Sequence, residues 1–183
     1  MSGHTVSGAT RLRCRGFVWL VATCLLAALP WAQAGQGPGL SPQTYQQLTA
    51  IHELIDAGKT GAALARLGEL LKSVGQRSYE RAVVLQNLGH VQASRGEYGA
   101  ATRSLAESLS LKSLPETTEQ QMRYNLAQVY LASEEPARAI TVLEAWFGQA
   151  DSHTASAWLL LGHTHAELGN YRKATPAMKR AIE

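Results

Sequence analysis

Residues 158–182 read Trp-Leu-Leu-Leu-Gly-His-Thr-His-Ala-Glu-Leu-Gly-Asn-Tyr-Arg-Lys-Ala-Thr-Pro-Ala-Met-Lys-Arg-Ala-Ile. Trp158, Leu161 and Gly162 fall at the spacing W-x2-L-G, and Gly169 and Tyr171 mark a turn between two helices. Ala174 and Met178 then give an A-x3-F-like half with Met in place of the aromatic. The physical logic is close packing, because Gly162 and Ala174 are small enough to let two helices approach. Trp158, Leu161, Met178 and Ile182 lie at helical spacing and predict an apolar face. One helix pair cannot bury such a face alone, so copies are expected.

The copies are present. Leu85, Leu88, Gly89, Gly96, Tyr98, Ala101 and Leu105 repeat the pattern, and so do Leu126, Ala127, Tyr130, Ala139 and Leu143. A weaker copy holds Leu54, Gly58, Ala63 and Leu67. Ala63, Ala101, Ala139 and Ala174 stand at intervals of 38, 38 and 35 residues. The repeat norm is about 34, which places a few extra residues in the outgoing loops of the first two units. Over residues 42–183 the chain resembles the tetratricopeptide repeat (TPR) family. The resemblance implies an all-α, right-handed α-solenoid of about four helix-turn-helix units, with approximate repeats at 44–77, 82–115, 120–151 and 155–183.

Residues 1–34 are of another kind. Arg11, Arg13 and Arg15 form a basic region, Phe17 to Leu29 is an apolar run, and Ala32-Gln33-Ala34 is an A-x-A cleavage signal. This predicts a secretory signal peptide cut after Ala34, a periplasmic or secreted chain, and no membrane span after cleavage. The apolar run is short for an uncleaved anchor. A lipidated Cys24 is the other alternative; the run continues past it, and Thr23 is bulky beside that cut.

The whole chain has 17 basic and 14 acidic residues, a formal net charge of +3. The three arginines of the leader account for that excess. Residues 35–183 are formally neutral, which removes the electrostatic footprint expected of a nucleic-acid binder. Both cysteines, Cys14 and Cys24, belong to the leader, so the rest needs no disulfide and rests on helix packing.

Residues 35–41 read as a flexible lead-in ending in Ser41-Pro42, a cap followed by a first-turn proline. Helices are expected from there to about Ala57, then over about 60–73, 78–95, 98–112, 116–133, 136–147, 153–168 and 171–183, with Asp151-Ser152 opening the fourth pair. Pro176 predicts either a kink in the last helix or a restart with Thr175 as cap. Trp146-Phe147 puts two aromatics where the family carries a small residue, and they are expected to fill space against Trp158. The last helix has no later neighbour in this sequence. It is expected to end in an apolar edge that docks on a partner or a second copy, or to be the cut end of a longer chain.

No catalytic constellation is visible: there is no P-loop, no G-x-G-x-x-G after a strand, no H-E-x-x-H and no G-x-S-x-G. An enzyme is not expected, nor a cofactor. His163 and His165 point about 200° apart on a helix and cannot grip one metal. His52, His90 and His163 occupy one place in three repeats, with Gln128 in the other. First helices of adjacent repeats lie about 8–10 Å apart, too far for such histidines to share a zinc.

In the TPR family this place lines the inner, concave face. The resemblance therefore implies a partner-binding groove of His52, His90, Gln128 and His163, with Asn87 and Asn125 three residues earlier. Gln86, Tyr124 and Leu131 join them. A solvated polar face would carry such residues as well, and the sequence leaves both readings open. Family members that grip carboxylate tails use lysine and asparagine here. Leu48, Gln86, Tyr124 and Leu159 stand in the lysine places, so a carboxylate clamp is not expected. The groove is neutral and rich in amide, imidazole and aromatic groups, which suits an extended or helical peptide segment.

The function implied is a non-catalytic scaffold or adaptor binding a protein or peptide in the cell envelope. Met122 to Ala127 and Leu143 to Phe147 resemble segments of periplasmic repeat proteins that accompany TonB-type complexes. The alternatives are a lipid-anchored part of an envelope assembly or polysaccharide export machine, and an enzyme with an unrecognised site.

Overall fold

The computed structural model describes residues 39–76, 78–149 and 153–183. The predicted leader and Asp151-Ser152 lie outside the described residues. The helices are α1 (Pro42–Asp56), α2 (Thr60–Ser73), α3 (Tyr79–Ser94), α4 (Tyr98–Ser110), α5 (Glu116–Ala132), α6 (Pro136–Phe147), α7 (Ala155–Glu167) and α8 (Tyr171–Arg180), with no strand among the described residues. They form four successive helix pairs, an all-α repeat fold.

Side-chain capping marks the start of three of the four first helices, and Pro115 precedes the other, α5. The hydroxyl oxygens of Ser41, Ser78 and Thr154 accept from the backbone N–H groups of Thr44, Arg81 and Ala157 at 3.3, 3.0 and 3.2 Å. Each satisfies one N–H that the helix itself leaves free. Pro42 sits in the first turn, where its missing N–H costs nothing. The cap of α7 is Thr154, so this helix starts two residues later than the sequence indicates.

One backbone turn joins the two helices of every pair. Lys59, Glu97, Glu135 and Asn170 donate to the carbonyls of Leu54, Gln92, Tyr130 and His165, five residues back, at 2.8–2.9 Å. The residue before each donates three back. This double return is the Schellman closure, and it requires a left-handed residue. Gly58, Gly96 and Gly169 supply it with φ of 71°, 76° and 72°. In the third pair the same place is held by Glu134, at φ 61°.

Small residues set the crossing distance. A Cβ on Gly89 would lie 2.7 Å from Leu105 Cγ, and one on Gly162 would lie 2.6 Å from Met178 Cγ and 3.3 Å from the Ala174 carbonyl oxygen. Ala127 takes the equivalent place in the third pair. The first pair carries Ile51 there, 1% exposed among Leu48, Leu67 and Leu70, so α1 and α2 are spaced by a side chain instead. Opposite these positions stand the landmark alanines, of which Ala63, Ala101 and Ala139 are fully buried and Ala174 is nearly so. Leu67, Leu105 and Leu143 follow one turn later and are buried. Each contributes about 1.5–3 kcal/mol of apolar transfer energy.

Polar contacts tie helices together within a pair and between neighbouring pairs. The Arg81 guanidinium on α3 donates to the Leu71 carbonyl of α2 at 3.3 Å and pairs with Glu107 of α4 at 2.7 Å. Ser108 donates its buried hydroxyl to the Ala82 carbonyl at 2.7 Å. Phe147 packs on Trp158 with ring centroids 4.7 Å apart, as the paired aromatics lead one to expect.

Three expectations change. The extra residues of the longer intervals lie in the first helices, since α3 and α5 have 16 and 17 residues against 13 in α7. Pro176 neither restarts nor caps α8: the helix runs through it, and the Thr175 hydroxyl donates to the Tyr171 carbonyl at 3.0 Å. The apolar face of the last pair is also incomplete, because α8 stops at Arg180 and leaves Ile182 84% exposed.

Candidate protein-interaction face

Helical periodicity places Gln86, Asn87, His90, Ala93 and Ser94 on one stripe of α3, and Met122, Asn125, Gln128 and Val129 on one stripe of α5. These two stripes face one cleft of about 540 Å3, floored by Leu105 of α4. Five of the nine residues expected at the groove therefore meet in one cavity: Gln86, Asn87, His90, Asn125 and Gln128. Leu105 and Met122 are buried, so the floor is apolar and the rim is polar.

His52 reaches the same face from α1. Its Nε2 lies 2.7 Å from the Asn87 side-chain oxygen, bridging the first and second pairs. The Asn87 amide nitrogen donates to the Val83 carbonyl at 2.8 Å. Asn87 is thus fixed in orientation and keeps one free N–H. The Gln121 amide donates to the Asn125 side-chain oxygen at 3.0 Å, which turns the Asn125 NH2 toward other partners. His90 and Gln128 are exposed and make no side-chain hydrogen bond among the described residues.

The remaining three sit apart from the cleft. The Tyr124 ring packs on Trp146 of α6, centroids 5.2 Å apart, and its burial raises the phenol above the usual tyrosine range. Leu131 is half-buried on α5. His163 is exposed, with Nε2 3.5 Å from Glu167 on its own helix. The column is continuous through the first three pairs as placed residues, and the second and third line one cavity.

No group of three or more His, Cys, Asp or Glu that could hold a metal occurs among the described residues, and none of their helices is long and apolar enough to cross a membrane.

Residues 104–181 match the family described as anaphase-promoting complex, cyclosome, subunit 3. Among solved structures, the chain is similar to MamA 41-end from Desulfovibrio magneticus RS-1, with a TM-score of 0.66 and 22% identity over 79% of this chain and 76% of that one. It is similar to BtubC (BKLC) from P. vanneervenii, with a TM-score of 0.67 and 18% identity over 82% of this chain and 66% of that one. A kinesin light chain of Podosopora anserina with nearly identical TPR-like repeats gives a TM-score of 0.66 and 16% identity over 78% and 75% of the two chains. No curated protein sequence matches the chain. The fold is the TPR fold.

In TPR terms α1, α3, α5 and α7 are the first helices of the repeats, and the cleft lies between those of repeats two and three. Two features of this chain lie outside the expected groove. One is an aromatic cluster at the junction of repeats three and four. The His153 ring lies 4.1 Å from Phe147, 5.4 Å from Trp146 and 5.5 Å from Trp158, and the Arg180 guanidinium stands 4.9 Å over Trp158. Trp146-Phe147 signalled it; His153 carried no signal, because its place depends on the loop. The other is His165, 4% exposed, with Nδ1 unpartnered among the described residues and Nε2 3.9 Å from Glu144. Burial, and next the Lys173 ammonium, hold its imidazole below the usual histidine value against the opposing pull of Glu144.

Proposed function

We propose that this chain is an exported, non-catalytic scaffold that binds a segment of another protein along the face built by α1, α3 and α5. The observation that carries this reading is the cleft between α3 and α5. It is open, has an apolar floor and an amide-lined rim, and lacks the converging ionisable groups that acid–base or nucleophilic chemistry needs. A fixed amide such as Asn87 or Asn125 has the geometry to meet a peptide main chain, which is how an extended surface gains affinity at low entropic cost. The matched family is described as a subunit of a larger complex, which fits an assembly role.

The location proposed is the cell envelope, after removal of residues 1–34. Its support is the basic region, the apolar run and the A-x-A signal. A role beside a TonB-type transport complex is the finer form of this proposal. It rests on the two short segments at 122–127 and 143–147. Contact with a partner or a second copy through the exposed Met178 and Ile182 is part of the same proposal.

The test is a pull-down from envelope extract with the full chain and with the His90→Ala/Asn125→Ala double variant. Proteins retained by the wild type should be lost by the variant, with the unfolding midpoint lowered only slightly, because His90 is exposed and half-buried Asn125 gives up one surface hydrogen bond to Gln121, worth about 1 kcal/mol. Equal retention by both would place binding elsewhere on the molecule.

A further inference from the structure

The cleft between α3 and α5 is unusual for a surface site in its charge. The stripe that α3 contributes, Gln86, Asn87, His90, Ala93 and Ser94, contains no Asp, Glu, Lys or Arg. Neither does the α5 stripe. The nearest charges in sequence are held elsewhere: Arg95 pairs with Glu97 at 2.7 Å, and Arg123 lies 3.7 Å from Glu119. At the five positions of the α3 stripe and their counterparts in α1, α5 and α7, carboxylates stand only at Asp56 and Glu167, in the first and last repeats.

The floor is equally informative. Leu105 is 4% exposed and Met122 is 1% exposed, and half-buried Val129 and Ala93 flank them. A cleft of about 540 Å3 is within the range of sites that enclose a compact apolar group together with the chain that carries it. A charged side chain lowered here would lose its water and find no counter-ion, at a cost of several kcal/mol. An apolar one would lose water to its advantage.

We infer that the cleft is an anchor pocket for one large apolar side chain of an uncharged, extended segment, whose main chain is held by the amides of Asn125 and Gln128 at the rim. This rests on the proposed scaffold reading and adds the chemistry of the partner. Asn125 is already turned by Gln121, so its NH2 is set to donate to a peptide carbonyl. Gln128 and His90 have no competing side-chain partner among the described residues. Because no ion pair is made, affinity is insensitive to salt, unlike that of a charge-reading groove.

The test is selection of random dodecapeptides displayed on phage against the full chain, followed by titration of synthesised winners at low and high sodium chloride. The winners should share a Leu, Met, Ile or Phe flanked by uncharged residues. Their affinity should change less than twofold with salt and fall at least tenfold on Ala93→Glu, which puts a carboxylate in the wall. Gln86→Glu is the second variant, on a half-buried rim position, should Ala93→Glu disturb α3. Winners that share acidic or basic residues, or that weaken with salt, overturn the anchor; if they still require His90 and Asn125, the scaffold reading stands. Winners indifferent to all four substitutions, or no winner at all, overturn both.

Discussion

Glu134→Gly should stabilise the chain. Glu134 occupies the left-handed place of the third turn at φ 61°, where the other three turns have glycine. For a residue with a Cβ this conformation costs about 1–2 kcal/mol. Glycine removes that cost but gives the unfolded chain about 0.4–1 kcal/mol more entropy to lose. The Glu134 carboxylate is exposed and makes no ion pair among the described residues, so nothing else is forfeited. The net expectation is a gain of about 0.5–1 kcal/mol, or about 1–4 °C in Tm for a chain of this size. Thermal unfolding followed by circular dichroism measures it, with Gly96→Ala as the counterpart expected to lose about 1 kcal/mol. A Glu134→Gly variant no more stable than wild type, beside a neutral Gly96→Ala, would refute the shared-turn reasoning.

Three further outcomes follow from the packing. Gly162→Ala should cost about 1–3 kcal/mol in urea unfolding, because its Cβ meets the Met178 backbone nitrogen at 3.2 Å as well as the flexible side chain. Arg81→Lys should cost about 1 kcal/mol, since a single ammonium cannot serve the Leu71 carbonyl and Glu107 together. The depressed pKa of His165 means that the unfolded chain binds its proton first as pH falls. Stability should therefore decline as pH drops from about 6.5 toward the folded value, and His165→Gln should flatten that slope in denaturant titrations at stepped pH.

The repeat was legible because it rests on steric minima. Ala63, Ala101, Ala139 and Ala174 are small where helices touch, and Gly58, Gly96 and Gly169 turn left-handed where only glycine does so cheaply. Glu134 hid in that column because sequence reports the residue and not its φ. The phase of a helix separates His163 from His165, and indeed one is exposed and the other buried. What lies against His165 was not legible, since Glu144 comes from the preceding repeat. Tyr124 shows the same limit: its column is right for the groove, yet Trp146, 22 residues on, captures its ring. Gln86, Asn87, His90, Asn125 and Gln128 were legible as a group, because they follow from register and helical spacing alone.

A photo-reactive amino acid placed at Gln128, in the cleft, and separately at Arg103, exposed on α4, locates the binding face in living cells. Position 128 should give a discrete cross-linked protein that disappears with the His90→Ala/Asn125→Ala variant, and position 103 should give none. Cross-links from position 103 alone, or from 128 with no dependence on His90 and Asn125, would contradict the account.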